Sequence, residues 1–314
     1  MKGRALAALA AAFGAALIAG GAAAQTFRSA VNLVVLQVTV TGADGRFVAG
    51  LSSDRFSVFE DDAERPIRQF SAERVPVSLG ILVDASGSME GRRLADAQQA
   101  LGRLLERFRD DDQTFLGVFN NTFQLLVPWT TNHAALLQPL SGVTLRSGTY
   151  LYSSISAALP VLNGGANRKK ALVIISDGDD NERMAGLNRD LLTRAVQQAQ
   201  QSEALIYVIG IGAPKPSTEQ LMALDPETRR RYFYDPPVDV DLLRRLTDPT
   251  GGYTQLASST ADLASTVISI ADDLSAQYMI GFESAYSDGT FHTLKVTTRD
   301  PRQRVRAKTG YASP

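Results

Sequence analysis

Three oxygen-bearing side chains in the order Asp-x-Ser-x-Ser follow a short apolar run. They are Asp84, Ser86 and Ser88, and the run at 77–83 consists mainly of aliphatic residues. Such a run, followed by a glycine-containing turn, is typical of a buried strand. Because ligands bind at the carboxyl ends of strands in open α/β sheets, these side chains are candidate ligands of a metal ion.

Two further segments offer oxygen ligands. Thr149 lies in a loop before a predicted helix, and Asp177 follows the apolar run 171–176. If that run pairs with 77–83, five oxygen side chains converge at one edge of a sheet. Hydroxyls and carboxylates favour a hard divalent cation, Mg²⁺ or Mn²⁺, with Ca²⁺ as a further candidate. Two acidic groups leave such a cation incompletely neutralised, so a partner carboxylate would complete the site.

Two simpler interpretations compete with a metal site of this kind. Ser88 alone could cap a helix that begins near Arg92, but this leaves Thr149 and Asp177 without a role. A calcium loop after Asp177 fails because position 182 lacks the required glycine and position 188 lacks the bidentate glutamate.

Acidic residues close to Asp177 have a plainer explanation. Asp179 and Asp180 are expected to be solvated acids at the rim of the site.

An enzymatic alternative uses the same aspartate. Phosphatases of the haloacid dehalogenase type place a nucleophilic aspartate after an apolar strand and use Mg²⁺, so Asp84 could attack phosphorus. That pattern requires a second aspartate two residues later as general acid, and here Ser86 stands there. A phosphatase therefore remains a minor alternative.

Histidine chemistry receives no support from the sequence. His133 and His292 are the only histidines, and neither lies near a Gly-x-Ser-x-Gly or His-Glu-x-x-His pattern. Both are expected to be ordinary surface residues. The sequence therefore favours a binding protein over an enzyme.

Composition restricts the compartment and the partners. The chain has 314 residues, 44% hydrophobic and 21% charged, which suits a large and a small globular part. Without Lys2 and Arg4, 30 basic residues face 33 acidic ones, a formal charge of −3 that argues against nucleic acid as a partner. The absence of cysteine excludes disulfides, thiolate metal sites and a cysteine nucleophile.

The first 24 residues have the pattern of a secretory signal peptide. A basic start precedes an uncharged Ala/Leu/Gly-rich stretch that ends in small residues, which predicts cleavage after Ala24. An uncleaved membrane anchor is the alternative, weakened by the low hydrophobicity of alanine and glycine. No later segment is predicted to cross a bilayer, so we expect a secreted or periplasmic protein.

Three segments follow the predicted signal. Residues 25–74 form an N-terminal β segment with strands near 31–40, 47–51 and 56–60. Residues 75–276 alternate strands with helices, which predicts a doubly wound, mostly parallel, Rossmann-like sheet. The expected strands of this part are 77–83, 114–120, 123–127, 170–176, 204–211 and 253–257. The expected helices are 92–108, 133–140, 151–162, 188–202, 239–247 and 260–276. A C-terminal β segment, 277–314, completes the chain with strands at 277–282, 291–298 and 304–309.

Neither terminal β segment is long enough to bury a stable core by itself. We therefore predict that 25–74 and 277–314 pair into one small β-sandwich, with the α/β domain inserted between them. Two independent hairpins packed on the α/β domain are the alternative.

The motifs resemble the von Willebrand factor type A domain and its metal-ion-dependent adhesion site. They are Asp84-Ala85-Ser86-Gly87-Ser88, Gly148-Thr149-Tyr150 and Ile175-Ser176-Asp177-Gly178. The resemblance implies direct metal contacts from Ser86, Ser88 and Thr149, and contacts through water from Asp84 and Asp177. Residues 75–276 would form that domain, and the flanking segments resemble a bacterial exported subgroup.

This resemblance implies an adhesion-type module that captures a protein or peptide carboxylate. A docking subunit of an envelope assembly, with a purely structural metal, is the second possibility.

A basic and aromatic cluster is the candidate rim for partner binding. It lies in the long connection 213–238, which leaves the same predicted sheet edge as the metal site. Its residue types are enriched at interface hot spots. The cluster comprises Arg229, Arg230, Arg231, Tyr232 and Tyr234. A surface insertion whose aromatic residues cover a neighbouring helix is the alternative.

Overall fold

The computed structural model describes residues 32–177, 180–181, 190–234 and 237–314, with the backbone alone at 231–234. The strands in this part are β1 Leu33–Thr41, β2 Phe56–Glu60, β3 Ala63–Arg65, β4 Ile67–Ser71, β5 Val77–Asp84, β6 Gln113–Phe119, β7 Phe123–Thr130, β8 Lys169–Ser176, β9 Leu205–Ile211, β10 Thr254–Ala257, β11 Tyr278–Glu283, β12 Phe291–Thr298, β13 Arg304–Arg306 and β14 Gly310–Ala312. The α-helices are α1 Arg92–Leu105, α2 Leu137–Ser141, α3 Leu151–Asn163, α4 Leu191–Gln201, α5 Thr218–Ala223, α6 Pro226–Tyr234, α7 Val240–Thr247 and α8 Thr260–Ala276. None of the helices in this part combines the length and hydrophobicity needed to cross a bilayer.

The central sheet has the strand order β10-β9-β8-β5-β6-β7, and only the edge strand β7 is antiparallel to its neighbour. β5 and β8 lie side by side, with Val83 opposite Ile175. Both strands are buried along almost their whole length, as expected for strands covered on both faces. The predicted doubly wound, mostly parallel sheet is confirmed.

Alternate side chains of each central strand enter different cores. In β5, Leu79 and Ile81 pack on one face, together with helices α1 and α8. Leu82 packs on the other face, with α3, α4 and α7. The strict alternation of strand side chains thus explains why a continuous apolar run is needed. The two helical layers fix the sheet whose edge carries the candidate site.

The terminal segments form two antiparallel sheets, β13-β1-β11-β4 and β14-β12-β2-β3. In the first sheet, β1 pairs with β11, so that Val34 lies opposite Phe282 and Val38 opposite Tyr278. In the second sheet, β12 pairs with β2. Side chains from both sheets share one hydrophobic core. The predicted joint sandwich is therefore present, and the alternative of two independent hairpins is wrong.

The N-terminal strand assignments need correction. Residues 47–51 do not form a strand, and Phe47 makes only an isolated bridge to Thr41. Gly50 adopts a left-handed φ of 76°, which interrupts extended backbone. The sequence interpretation also missed β3 and β4, because their exposed edge positions lack a clear alternation of apolar and polar residues.

The connection 213–238 also differs from the loop expected there. It contains the helices α5 and α6. Ser217 and Gln220 form a reciprocal capping box at the start of α5. This signal is readable in the sequence, since a serine followed three residues later by glutamine is typical of a helix start.

A buried aspartate joins the sandwich to the α/β part. Asp273, near the end of α8, accepts a 2.6 Å hydrogen bond from Thr39 of β1 and a 2.8 Å bond from the Tyr207 hydroxyl of β9. Arg306 of β13 also donates to this carboxylate. The guanidinium of Arg306 lies 4.7 Å from the ring centre of Tyr253. Hydroxyls from both parts thus donate to one buried carboxylate, and Arg306 of the sandwich balances its charge.

Candidate metal centre

The end of β5 positions the first candidate ligands. Asp84 is fully buried, and its Oδ1 accepts a 2.8 Å hydrogen bond from the backbone N–H of Ser86. This aspartate-centred turn bends the chain away from the strand. A short 3₁₀ turn, Gly87–Met89, follows, and the hydroxyls of Ser86 and Ser88 lie 2.9 Å apart. Three of the candidate oxygens therefore share one tight turn.

The end of β8 supplies the second carboxylate. The Ser176 hydroxyl donates a 2.6 Å hydrogen bond to Oδ2 of Asp84, and this bond ties the two strand ends together. Asp177 follows directly and is buried. Burial raises the pKa of Asp84 to about 7, and the neighbouring Asp177 carboxylate contributes to that rise. A positive charge near Asp84 would therefore stabilise its ionised form.

Hydrogen bonds between its backbone and Asn181 hold the Thr149 loop in place. Oδ1 of Asn181 accepts a 2.7 Å hydrogen bond from the Thr149 N–H, and the Asn181 N–H donates to the Thr149 carbonyl at 2.8 Å. The Arg146 N–H donates to the carbonyl of Ala85 at 3.1 Å. Gly148, at φ 91°, allows the sharp turn that leads into Thr149. The loop is thus held beside the β5 turn and the segment after β8.

The donor set fits a hard divalent cation. Within the described residues, no group of three or more His, Cys, Asp or Glu side chains forms a ligand cluster. A cation here would therefore rely on hydroxyls as well as the two carboxylates, which suits Mg²⁺ or Mn²⁺. Oδ1 of Asp177 is buried and has no hydrogen-bond partner in the described part of the protein. A buried carboxylate oxygen of this kind needs a donor or a cation.

Arg93, at the start of α1, is a site residue that the sequence interpretation missed. Its Nη1 lies 3.4 Å from Oδ2 of Asp177 and donates a 2.9 Å hydrogen bond to the Ser88 carbonyl. The arginine therefore compensates part of the negative charge from the side of the helix.

Asp180 is not the solvated rim acid that was expected. It is buried, and its Oδ2 accepts a 3.1 Å hydrogen bond from the Tyr152 N–H in the first turn of α3. A carboxylate is favourable there because the first amides of a helix have no partner within the helix. Asp179 lies outside the described residues, as do both positions that argued against a calcium loop.

A sequence model of the von Willebrand factor type A domain matches residues 79–179, the region that carries all five candidate ligands. The chain contains a von Willebrand factor type A domain. A von Willebrand factor type A protein from Catenulispora acidiphila has a similar structure, with a TM-score of 0.52 and 13% sequence identity. The similarity covers 91% of this chain and 75% of that one, so it includes terminal strands as well as the type A domain. At this identity it concerns the fold alone.

Two curated relatives are similar to part of this chain. Inter-alpha-trypsin inhibitor heavy chain H2 of Mus musculus is 23% identical over 203 residues, which are 61% of this chain and 19% of that protein. An uncharacterized protein of Synechocystis is 24% identical over 117 residues, 35% of this chain and 28% of its own length. The chain therefore spans less than a third of either relative.

The candidate rim lies in the helix α6, beyond the residues that the type A model matches. Arg229 and Arg230 are exposed on α6. The Arg229 guanidinium donates 2.9 Å hydrogen bonds to the carbonyls of Met222 and Leu224, and thereby links α6 to α5. The side chains of Arg231, Tyr232 and Tyr234 lie outside the described residues. The rim therefore stays a prediction.

One histidine lies in an environment that the sequence interpretation did not expect. His292, on β12 of the sandwich, is buried rather than exposed and stacks on Tyr286 with ring centres 3.9 Å apart. Its ring nitrogens contact the carboxylates of Asp61 and Asp288 at 2.7 and 3.1 Å. This cluster lies on the sandwich rather than on the type A sheet that carries the candidate metal centre.

Proposed function

We propose that this chain is an exported, divalent-metal-dependent module that binds a protein or peptide by capturing a partner carboxylate. In this proposal Asp84, Ser86, Ser88, Thr149 and Asp177 hold the cation, which is Mg²⁺ or Mn²⁺. Residues 1–24 would be the signal peptide, 25–74 and 277–314 the sandwich, and 75–276 the binding domain. The type A domain supports a role in protein interaction.

The observation that carries this proposal is the buried Oδ1 of Asp177, which has no hydrogen-bond partner among the residues that the structure describes. Leaving a charged oxygen buried without a partner is unfavourable, and a cation or a water bound to one would remove that cost. The raised pKa of Asp84 points the same way, because it reflects burial and negative charge that is incompletely balanced. Both observations concern residues of the recognised motif.

The residues of the chain have separate roles in this proposal. The hydroxyls of Ser86, Ser88 and Thr149 are neutral ligands. They leave part of the cation's positive charge unbalanced, so the occupied site would attract anions. Ser176 orients the Asp84 carboxylate, and Asn181 fixes the Thr149 loop. When bound, a divalent cation supplies the positive charge and the open coordination position that a partner carboxylate needs. Binding would therefore depend on both the metal and an acidic side chain of the partner.

A phosphatase reaction at Asp84 lacks a general acid at the expected position. Ser86 occupies that position, and its hydroxyl lies 2.9 Å from the Ser88 hydroxyl. A serine hydroxyl cannot supply a proton to a leaving group near neutral pH. We therefore propose binding without turnover.

Thermal unfolding in EDTA and in millimolar Mg²⁺ or Mn²⁺ tests the metal. At a free metal concentration of about 100 times its Kd, binding to the folded state adds about 2.7 kcal/mol to the free energy of unfolding. We expect this gain in the wild type and its loss in a Thr149→Ala, Asp177→Ala double variant. Asp241→Asn removes an exposed carboxylate of α7 and should keep the gain. No gain in the wild type would contradict the proposal.

Carboxylate capture is tested with a pentapeptide that has one central aspartate among glycines and blocked ends. We expect weak binding that requires Mg²⁺ and disappears in the double variant. If the metal stabilises the protein but this peptide never binds, the cation has a structural role, as in the docking-subunit alternative.

A further inference from the structure

A cleft of about 860 Å³ opens at the same edge of the sheet as the candidate metal centre. Its walls come from the start of α1, the end of β9 and the segment from β10 into α8. The lining residues on which the inference rests are Arg92, Arg93, Asp96, Ile211, Thr260 and Leu263. Because β10, β9, β8 and β5 are parallel neighbours, their carboxyl ends share this edge. The volume lies in the range of small-ligand pockets, about 300 to 1,000 Å³.

Arg93 belongs to both the cleft and the metal centre. Its guanidinium contacts Asp177 and the Ser88 carbonyl, and the same residue lines the cleft. A ligand group at the metal centre would therefore lie next to the mouth of the cleft.

The cleft offers an anion one exposed arginine. Its charged lining residues are Arg92, Arg93 and Asp96. The Arg93 guanidinium already contacts Asp177, so Arg92 is the cation that a ligand would meet. The side chain of Arg92 is 84% exposed, and its contacts within the described residues are long, 3.6 Å to Asp96 and 3.5 Å to the Thr260 hydroxyl. Exposed ion pairs of this kind are weak and exchange readily. Asp96 also accepts a 2.9 Å hydrogen bond from Thr260, so it keeps a partner when Arg92 turns towards a ligand.

We propose that the cleft binds a second acidic side chain of the same peptide ligand, with Arg92 as the residue that recognises it. The inference rests on the proposed function for its first contact. Guanidinium groups bind carboxylates through paired hydrogen bonds, and Ile211 and Leu263 offer an apolar floor for the peptide backbone and its methylene groups. The ligand class is therefore a peptide segment with more than one acidic residue, rather than a single isolated carboxylate.

Two pentapeptides test this inference. The first is the peptide with one central aspartate, and the second has aspartates at its first, third and fifth positions. Their Kd values for the full mature chain are measured by NMR titration at a fixed excess of free Mg²⁺. Arg92→Ala removes the cleft arginine. Arg103→Ala removes an exposed arginine from the other end of α1 and serves as the matched control.

We expect the three-aspartate peptide to bind the wild type about five-fold more tightly than the one-aspartate peptide. Arg92→Ala should abolish this advantage and leave the one-aspartate affinity unchanged, while Arg103→Ala should preserve the advantage. The proposal for the cleft is wrong if Arg92→Ala and Arg103→Ala reduce the affinity for the three-aspartate peptide equally. It is also wrong if the wild type binds both peptides with the same Kd. The three-aspartate peptide could also bind in a way that needs Arg92 but not Mg²⁺. This result would support the cleft as a binding site and contradict the proposed metal-dependent function.

Discussion

The Ser176 hydroxyl donates a 2.6 Å hydrogen bond to Oδ2 of Asp84, and this bond joins the carboxyl ends of two neighbouring strands. The other oxygen of Asp84 accepts from the backbone of Ser86. The carboxylate is therefore oriented by two donors before any ligand arrives. Ser176 would therefore affect the metal affinity of the site by orienting the Asp84 carboxylate.

Replacing Ser176 with alanine should weaken Mg²⁺ or Mn²⁺ binding about ten-fold, because Asp84 loses a donor that orients its carboxylate. Metal titrations followed by thermal unfolding measure this effect. Ser154→Ala is the matched control, since Ser154 is also buried and its hydroxyl has no partner among the described residues. Equal metal affinities for Ser176→Ala and the wild type would show that the bond does not support the site.

Asn181→Ala should destabilise the fold by about 1 kcal/mol and also lower the metal affinity. The side chain of Asn181 accepts from the Thr149 N–H, and its removal leaves a partly buried donor without a partner. Urea denaturation gives the free energy of unfolding, and the metal titration gives the affinity. A loss of stability with an unchanged metal affinity would separate Asn181 from the site.

Asp273→Ala should destabilise the protein by about 3 to 5 kcal/mol, because it removes the acceptor of the buried Tyr207 hydroxyl and of the partly buried Arg306 guanidinium. Thr39→Val should cost about 1 kcal/mol. The double variant should lose less than the sum of the single losses, since both changes remove the same Thr39–Asp273 bond. Urea denaturation of the four proteins measures the coupling. Strictly additive losses would contradict an energetic link between the sandwich and the α/β part.

The free energy of unfolding should fall as the pH rises above about 6.5, because of a histidine in the sandwich. The hydrogen bond to Asp61 raises the pKa of His292, and Asp288 acts in the same direction. A group with a raised pKa in the folded state contributes stability that is fully present below its unfolded pKa and is lost as the pH passes the folded value. Thermal unfolding from pH 5.5 to 8.5 measures this trend.

His292→Gln is the control for this pH dependence. The glutamine side chain does not titrate, so the loss of stability between pH 6.5 and 8.5 should become smaller. Thr290 and Tyr311 also lie near the ring, but neither carries a charge in this range. An unchanged slope in the variant would assign the pH dependence to other groups.

Much of the fold is readable from local patterns. The buried strands β5, β8 and β9 appear as apolar runs, and a buried parallel sheet requires such runs whatever its neighbours are. The amphipathic helices between them follow from the helical period. The five candidate ligands are also recognisable, since their residue types and their positions after strands are fixed by the chemistry that a cation needs.

The partners of several polar residues depend on the tertiary structure. Arg93 contacts Asp177, 84 residues away, and Asp273 contacts Thr39, 234 residues away. Arginine, aspartate and threonine are also common on surfaces, so their types do not reveal their burial. His292 was interpreted as a surface residue for the same reason.

The sequence by itself determined the strands of the central sheet and the identity of the candidate metal ligands. Only the tertiary structure decided that β1 pairs with β11, that Asp180 is buried against α3, and that a cleft opens beside Arg93. The physical reason is the range of the interactions. Periodicity and turn chemistry act within a few residues, whereas strand pairing, charge burial and clefts arise where distant segments pack together.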